Sequence, residues 1–350
     1  MKILVTGSGG LIGSESVKYF CSRTDKENIV HGIDNNMRKY FFGEKGDVSR
    51  NVNHLINTYH NYKHHNIDIS DADDMKNLFY GKGKFDLIIH CAAQPSHDWS
   101  SQEPMIDFKI NANATLMLLE LTKTYCKDAV FIFMSTNKVY GDNPNLILFS
   151  ETEKRFEAIH NNYEYGINEE MSIDKCTHSF FGVSKTAADL LVQEYGRRYK
   201  LKTACFRGGC ITGSSHSSHE LHGFLNYLVK CALTGEQYVI YGYEGKQVRD
   251  NIHASDLVSA FDYFYKDPKI AEVYNIGGSR FSNCSILEAI DMIECITNKK
   301  INTSYSHLPR IGDHIWYISD VRKFKSHFPE WNYKYDLQMI VKEIVENIKL

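Results

Sequence analysis

The sequence contains little proline, no cluster of basic residues and no long apolar run. Proline occurs 6 times in 350 residues, which excludes a collagen-like chain, and 40 Lys and Arg against 43 Asp and Glu give a net charge of −3. This balance argues against a large nucleic-acid or anionic-membrane surface and favours a small anionic ligand. No apolar stretch approaches the roughly 18 residues of a membrane span, and the N-terminal run is too short for a signal peptide. We therefore expect a cytoplasmic protein that binds neither nucleic acid nor membrane.

The cysteines also lack a pattern. There are 9 of them, an odd number, scattered without a Cys-x-x-Cys pair. This excludes a disulfide-stapled fold, and we interpret them as reduced core thiols of a cytosolic protein. With 43% apolar residues over 350 positions, the chain is long enough for two domains or one large α/β unit with a sizeable core.

Short apolar runs alternate with amphipathic patterns in the first 210 residues. The runs lie at residues 3–5, 29–33, 85–90, 130–134 and 202–206. Continuous apolar strands separated by helices are typical of a parallel sheet covered on both faces. Later elements are shorter, and the chain closes on apolar residues at helical spacing, namely Leu337, Ile340, Val341, Ile344, Val345 and Ile348.

A glycine turn follows the first of these strands. Gly7, Gly10 and Gly13, with Leu11 and Ile12 before the last of them, lie between the strand and an amphipathic helical pattern that includes Val17, Phe20 and Cys21. Such glycines permit a tight turn, close approach of a pyrophosphate and close helix packing, and the helix N-terminus presents amides to the anion.

The second strand ends on an acidic residue, Asp34, which is followed by Asn35. The separation from the glycine turn is about the 20 residues expected for a ribose-binding carboxylate. A carboxylate there accepts bonds from both ribose hydroxyls and repels a 2′-phosphate. The spacing therefore predicts a dinucleotide site that prefers NAD to NADP.

These motifs resemble the extended short-chain dehydrogenase/reductase family of NAD-dependent nucleotide-sugar epimerases and dehydratases over essentially the whole chain. The resemblance implies an α/β Rossmann domain, a doubly wound parallel sheet, in residues 1–205. It implies a smaller, partly interleaved nucleotide-sugar-binding lobe in residues 206–350, with some segments returning to the sheet. Implied NAD contacts and sheet supports, besides the glycine turn, are Asn35, Asp68, Ile69, Ala92, Ala93, Gln94, Asn113 and Lys185.

The family's reaction centre combines a Ser or Thr after one strand with Tyr-x-x-x-Lys on the next helix. Here Thr136 matches the hydroxyl position and Lys185 matches the lysine, but Phe181 occupies the place of the tyrosine. In the family, the tyrosine exchanges a proton with a sugar hydroxyl, and the lysine lowers its pKa and holds the nicotinamide ribose. Phenylalanine cannot transfer a proton.

Three interpretations of Phe181 remain open. Another side chain can supply the acid and base, with the candidates Tyr163, Tyr165, His97, His178 and Cys210. The phenylalanine can be an introduced Tyr-to-Phe change that impairs an epimerase. Alternatively, the protein binds dinucleotide and sugar nucleotide without turnover, in a non-catalytic or regulatory role.

The residues after Thr136 separate two reactions of the family. Sugar-nucleotide 4,6-dehydratases of this kind carry Asp-Glu there, because the elimination of water needs its own acid and base. This chain has Asn137 and Lys138 instead. Dehydration is therefore disfavoured, and epimerisation or simple oxidation is favoured.

Further segments resemble the substrate-binding parts of the family and narrow the expected substrate. Cys210, Arg249 and Arg310 match positions that contact the diphosphate. The strings at residues 92–99, 178–182, 221–225 and 310–314 resemble the CDP-paratose 2-epimerase branch. That resemblance implies hydride removal from C2 of a CDP-linked dideoxyhexose and its return to the other face. Sugar contacts are expected from Ser96, His97, Asn137 and His222.

Two other features concern metals and assembly. His216, His219 and His222 share a metal-like spacing, but hydride chemistry needs no metal and no Cys or carboxylate completes a compelling ligand set, so we expect no metal. Leu116, Leu119, Leu191 and Tyr195 lie on two helices that resemble the family's intersubunit contact. A homodimer or homotetramer is therefore expected, with internal packing as the alternative role of these residues.

Overall fold

The structure is a computed structural model that describes residues 1–24, 27–159, 161–213, 223–310 and 312–348. Contacts within the chain divide it into two units. Unit 1 comprises residues 1–136, 180–207 and 258–274, and unit 2 comprises residues 137–179, 208–257 and 275–350. The chain thus crosses between units several times, one crossing lying at residues 207–208.

The described residues form the following elements. The strands are β1 (Lys2–Thr6), β2 (Ile29–Ile33), β3 (Tyr62–His65), β4 (Leu87–His90), β5 (Val130–Thr136), β6 (Phe149–Glu151), β7 (Phe156–Ala158), β8 (Lys202–Gly208), β9 (Cys210–Thr212), β10 (Tyr238–Tyr241), β11 (Val248–His253), β12 (Glu272–Ile276), β13 (Asn283–Ser285), β14 (Thr303–Ser306) and β15 (Trp316–Tyr317).

The α-helices are α1 (Leu11–Cys21), α2 (Met37–Phe42), α3 (Ser49–Thr58), α4 (Ala72–Lys82), α5 (His97–Gln102), α6 (Pro104–Phe108), α7 (Ala114–Tyr125), α8 (Phe180–Tyr199), α9 (Phe224–Thr234), α10 (Ala254–Lys266), α11 (Ile286–Thr297), α12 (Arg322–His327) and α13 (Leu337–Asn347). A π-helical turn, Lys109–Asn113, joins α6 to α7, and short 3-10 turns include Asn137–Tyr140 and Asn143–Leu146. Within the described ranges, no helix is long and apolar enough to cross a membrane.

A seven-stranded parallel sheet is the centre of unit 1, with the order β12-β8-β5-β4-β1-β2-β3. Strand β1 pairs in parallel with β2 on one side and β4 on the other. Ile3, Leu4 and Val5 are fully buried, as expected for a sheet covered by helices on both faces. The predicted fold class is confirmed. The order of the strands changes direction at β1, with β2 on one side and β4 on the other, so ligands are expected at the carboxyl ends of β1 and β4.

Unit 2 contains smaller sheets. Strand β11 pairs with β9, β13 and β15, while β10 pairs with β14 and β6 with β7. Helix α13 buries Leu337, Ile340, Val341 and Ile344 against α9 and α11, which follows from their helical spacing. The division of the chain at residue 205 stays a prediction about domains, while β12 from the C-terminal half lies in the central sheet.

Candidate active site

The glycine turn closes tightly after β1. Gly7 has a φ of +69°, and a Cβ there would lie 2.8 Å from the amide nitrogen of Ala92. A Cβ at Gly13 would lie 2.0 Å from the oxygen of Gly7, so only glycine fits at both positions. At Gly10 a Cβ would meet only the Gly7 oxygen, at 3.4 Å, among the described residues. Packing within the protein therefore explains Gly7 and Gly13, whereas Gly10 suits the close approach of a ligand.

Helix α1 begins directly after this turn. Its N-cap, Gly10, provides no side-chain cap, and the first turn, which includes Leu11, Ile12 and Gly13, carries no acidic residue. By contrast, the Asp71 carboxylate caps α4 by accepting from two backbone amides. The uncapped amides and the helix dipole of α1 make its N-terminus suitable for a pyrophosphate.

Asp34 follows β2 and is oriented by the backbone around it. Its Oδ2 accepts from the Gly9 amide at 2.9 Å, and its Oδ1 accepts from the Asn36 amide at 2.8 Å. Asn35 accepts from the Met37 amide at 3.1 Å, at the start of α2. Since a carboxylate has about four acceptor positions, Asp34 retains capacity for ribose hydroxyls.

The pair Asp68 and Ile69 lies in the turn between β3 and α4. Oδ1 of Asp68 accepts from the amide and the hydroxyl of Ser70, at 2.8 and 2.7 Å. Ile69 is buried in the hydrophobic core of unit 1. The local bonds fix this turn at the edge of the sheet where Asp34 also lies.

The loop Ala92-Ala93-Gln94 after β4 is held by an asparagine that differs from the predicted one. Asn111, in the π-helical turn, accepts from the Gln94 amide at 2.9 Å and donates to the Gln94 oxygen at 3.1 Å. It also donates to Ser184 on α8, at 3.0 Å. Asn113 is exposed, so the supporting role predicted for it was wrong. The wider π turn moves the inward-facing position to Asn111.

A buried histidine, His90, connects this loop to β1 and α7. The Thr115 hydroxyl donates its one proton to the Asn111 oxygen at 2.7 Å. It must therefore accept the bond that Nε2 of His90 makes with it at 2.9 Å. Nδ1 of His90 then accepts from the Thr6 hydroxyl at 2.7 Å, which itself accepts from the Ala92 amide at 3.1 Å. Burial lowers the pKa of His90 to about 3, so the ring stays neutral in this chain. Sequence reasoning missed it.

Lys185 lies on α8 beneath the end of β5. Its Nζ donates to the Met134 oxygen at 2.8 Å and lies 4.1 Å from the centre of the Phe133 ring. Burial lowers its pKa to about 8, opposed by nearby acidic groups including Asp189. Phe181, one helical turn earlier, is 8% exposed.

Thr136 ends β5 and remains partly exposed. The preceding residue, Ser135, donates to Asp189 of α8 at 2.5 Å. Arg207 from β8 forms two bonds to the same carboxylate, at 2.9 and 3.1 Å. This buried ion pair was also not foreseen, and it fixes α8 against β8, while the Ser135 bond fixes α8 against the strand that carries Thr136.

Ser96 and His97 begin α5. The Ser96 hydroxyl accepts from the Trp99 amide at 3.2 Å, and the Ser96 amide donates to the side chain of Gln94 at 2.5 Å. The His97 ring meets Phe181 edge to face, with ring centres 5.1 Å apart. The structure therefore places the His97 ring beside Phe181, which occupies the position of the family's tyrosine.

Unit 2 contains a group of cations around Asp313. Arg249 forms an ion pair with this carboxylate, and Lys138 and Arg310 also act on it. Burial raises the pKa of Asp313, but Arg249 and the other cations lower it further, so the net direction is downward. The Arg310 guanidinium lies 4.5 Å from the centre of the Tyr241 ring.

Lys138 is tied to the segment that carries Asp313. Its Nζ donates to the Gly312 oxygen at 2.8 Å and lies 3.4 Å from Nδ1 of His314. His314 contacts the Gly141 oxygen through Nε2 at 2.8 Å. Burial lowers the pKa of Lys138 to about 8, and Asp313 opposes this. Asn137, beside it, is buried.

The other predicted residues of unit 2 have separate surroundings. Cys210 pairs in β9 with Asn251, and burial raises its pKa to about 11, opposed by Arg249. Tyr165 is exposed, with the Arg322 guanidinium 4.1 Å from its ring centre. His178 bonds to the Val139 oxygen through Nε2, at 2.8 Å.

The predicted substrate contact His222 lies outside the described residues, as do His216 and His219. Tyr163 ends the short 3-10 turn Asn161–Tyr163. Its carbonyl oxygen accepts from Arg280 at 3.1 Å. In the part of the chain that the structure describes, no group of three or more His, Cys, Asp or Glu side chains could hold a metal ion.

Comparison with known proteins identifies the family to which the chain belongs. The profile of the NAD dependent epimerase/dehydratase family matches residues 3–277. The chain is 31% identical over 333 residues to a CDP-paratose 2-epimerase of Salmonella typhi, covering 92% of each chain. It is 28% identical over 308 residues to a dTDP-glucose 4,6-dehydratase of Escherichia coli, covering 83% of this chain and 78% of that one.

A solved structure gives the same fold. UDP-glucuronic acid 4-epimerase from Bacillus cereus, in complex with UDP-glucuronic acid and NAD, has a TM-score of 0.78 at 23% identity. The match covers 99% of this chain and 98% of that one. The cofactor of the protein is NAD, and the chain belongs to the NAD-dependent epimerase/dehydratase family.

Proposed function

We propose that the protein is an epimerase that inverts C2 of a CDP-linked sugar through a transient ketone, with NAD as the oxidant. The observation that carries the proposal is the 31% identity to a CDP-paratose 2-epimerase, which extends over 92% of both chains. The family includes dehydratases as well, so the proposal also depends on the residues after Thr136.

The chain's own residues fit NAD. Gly10 and the uncapped start of α1 would hold the pyrophosphate, and Asp34 would accept from the adenosine ribose. Lys185 would hold the nicotinamide ribose, in a place fixed by its bond to the Met134 oxygen. When bound, NAD supplies reversible oxidation of a carbon that bears a hydroxyl group.

Asn137 and Lys138 support epimerisation over dehydration. Eliminating water requires one group that accepts a proton and one that donates it. Asn137 is a buried amide, and Lys138 donates to the Gly312 oxygen, so neither provides the carboxylate pair. We therefore assign Lys138 to the binding of the substrate through its positive charge, and not to proton transfer.

The cations of unit 2 suit a diphosphate. Lys138, Arg249 and Arg310 all act on the carboxylate of Asp313, which offsets only one of these three positive charges. Guanidinium groups bind phosphate oxygens with paired, charge-assisted bonds. A nucleoside diphosphate sugar is the ligand class that combines this charge with a hydroxyl group to oxidise.

The protein is also proposed to form a homodimer or homotetramer through α7 and α8. Leu116 and Leu190 are 37% and 46% exposed on these helices, so their apolar side chains are available to a second copy of the chain. Leu119 is fully buried, and the Tyr195 hydroxyl donates to Glu120. The proposed contact therefore uses Leu116 and Leu190, with Leu119 in the core.

Phe181 favours a second candidate function, a protein that binds NAD and a sugar nucleotide without turnover. Its ring has no proton to transfer, although Lys185 and Thr136 are in place. A regulatory protein of this kind would still bind NAD and, through the cations of unit 2, a sugar nucleotide, but it would not oxidise the sugar.

One experiment distinguishes these functions. The NAD-loaded protein is incubated with CDP-, UDP- and dTDP-sugars, while NADH absorbance and the proton NMR spectrum of each sugar are followed. We expect a CDP-sugar to give transient NADH and a C2 epimer. Tight binding without NADH and without epimer across the panel contradicts the enzyme and supports the binding protein.

A further inference from the structure

The proton-transfer position on α8 holds a residue that cannot transfer protons. Phe181 lies one helical turn before Lys185, and its side chain is enclosed rather than directed to solvent, with 8% exposure. If the proposed epimerase function is correct, a different group in unit 1 must accept and return the proton of the sugar hydroxyl. The following inference rests on that function.

Several titratable groups lie near Lys185, but their surroundings make them unsuitable. Burial raises the pKa of the Cys91 thiol to about 12 and that of Cys205 well above its ordinary value. Asp189 accepts from both Ser135 and Arg207. Asp107 is 1% exposed and accepts from the side chains of Gln94 and Asn111.

His97 combines contact with Phe181 and access to solvent. Its ring meets the Phe181 ring at 5.1 Å between centres and at 67° between planes, while the side chain stays partly exposed. A phenol hydroxyl on residue 181 would extend from the same ring. The imidazole is therefore a titratable group in direct contact with the family's proton-transfer position.

The backbone at His97 is rigidly supported. Gln94 accepts from the Ser96 amide and donates to the Ser96 oxygen at 2.9 Å, and its amide is bound by Asn111. The Ser96 hydroxyl caps α5 through the Trp99 amide. Catalytic groups require such preorganisation, because small displacements reduce proton transfer strongly.

We propose that His97 is the catalytic acid and base, in place of the tyrosine that Phe181 replaces. An imidazole nitrogen takes the proton of the C2 hydroxyl as the hydrogen on C2 leaves as hydride to the oxidised cofactor. The C–O single bond becomes the carbonyl. On return, hydride adds to the opposite face of that carbon and the imidazolium gives its proton to the oxygen, so no net oxidation occurs.

The test uses His97→Gln, Phe181→Tyr and the double variant, each NAD-loaded. His97→Gln is expected to lower the epimerisation rate by about 10²–10⁴-fold. In the Phe181→Tyr background, the restored phenol beside Lys185 should make His97→Gln cost roughly tenfold or less. His60→Gln, at an exposed histidine, serves as the matched control and should leave the rate unchanged.

A second readout does not depend on turnover. With histidines labelled with 13C, the resonance that is absent in His97→Gln is expected to shift when CDP-sugar is added but not when CDP alone is added. Thermal unfolding of His97→Gln should match that of the parent chain, which separates a catalytic loss from misfolding.

The outcomes separate this inference from the proposed function. If the parent chain epimerises a CDP-sugar and His97→Gln does so equally fast, His97 is not the acid and base. If Phe181→Tyr alone raises the rate by about 10²-fold while His97→Gln has no effect, a tyrosine at position 181 is the group that transfers the proton, and the role proposed for His97 is overturned. If the parent chain epimerises no sugar and the Phe181→Tyr variant does not either, the proposed function itself fails.

Discussion

Lys185 in unit 1 and Lys138 in unit 2 have similar pKa values but different neighbours. Burial lowers the pKa of each to about 8, and each Nζ donates to a backbone carbonyl oxygen at 2.8 Å. Lys185 is 4% exposed and lies on the Phe133 ring, whereas Lys138 is partly exposed among other cations.

The difference shows how one kind of residue serves two tasks. Near Lys185 the carboxylate of Asp189 belongs to a core ion pair with Arg207, which holds α8 in place. Near Lys138 the carboxylate of Asp313 pairs with Arg249 but is 22% exposed and outnumbered by cations. The first arrangement suits fixed positioning, and the second suits the binding of an anion that enters from solvent.

The largest expected contrast concerns the two carboxylates. Asp189→Leu would leave Arg207 charged and buried, so we expect the free energy of unfolding to fall by about 3–5 kcal/mol. Asp313→Leu should cost less, about 1–3 kcal/mol, since the Asp313 side chain is 22% exposed and the buried Arg249 keeps its bond to the Val248 oxygen. Urea unfolding of both variants gives the comparison. Equal losses would show that the two ion pairs are not different in kind.

A smaller contrast concerns ligand affinity. Lys185→Met should weaken NAD binding, and Lys138→Met should weaken binding of a CDP-sugar, each by about 10–100-fold because one charge-assisted bond is lost. Titration calorimetry of each variant with both ligands tests this. Lys138→Arg keeps the charge and is the matched control. If Lys138→Met binds the CDP-sugar as the parent does, Lys138 belongs to the fold alone.

The sequence predicts the sheet well because its information is local. Ile3, Leu4 and Val5 form a continuous apolar run, Gly7 has a φ of +69°, and Gly13 is required by contact with the Gly7 oxygen in the same turn. These signals do not depend on the rest of the chain. Lys185 is found for a similar reason, since it lies at fixed spacing on one helix.

The residues that were missed depend on contacts between distant segments. Asn111 replaces Asn113 because a π turn, which has no clear sequence signal, rotates the chain. His90 is recognised only once Thr6 and Thr115 are seen on either side of it. Lys138 looked like a substitution that prevents dehydration, and its bond to Gly312 spans 174 residues. No local pattern could have indicated that bond.

The smallest expected effect is a pH dependence that distinguishes the two lysines. The folded-state pKa of Lys138 is about 8, below its ordinary value of 10.5, so above pH 8 the folded protein loses a positive charge next to the proposed diphosphate site. CDP-sugar affinity should therefore fall a few-fold as pH rises through about 8. The free energy of unfolding should rise with pH between about 8 and 10.5, because the unfolded chain, in which the lysine keeps its ordinary pKa, binds more protons there than the folded chain does. Lys138→Arg stays charged and should abolish the loss of affinity, while Lys185→Arg should leave it. If Lys185→Arg abolishes it instead, the titrating group lies in unit 1 and the roles assigned to the two lysines are reversed.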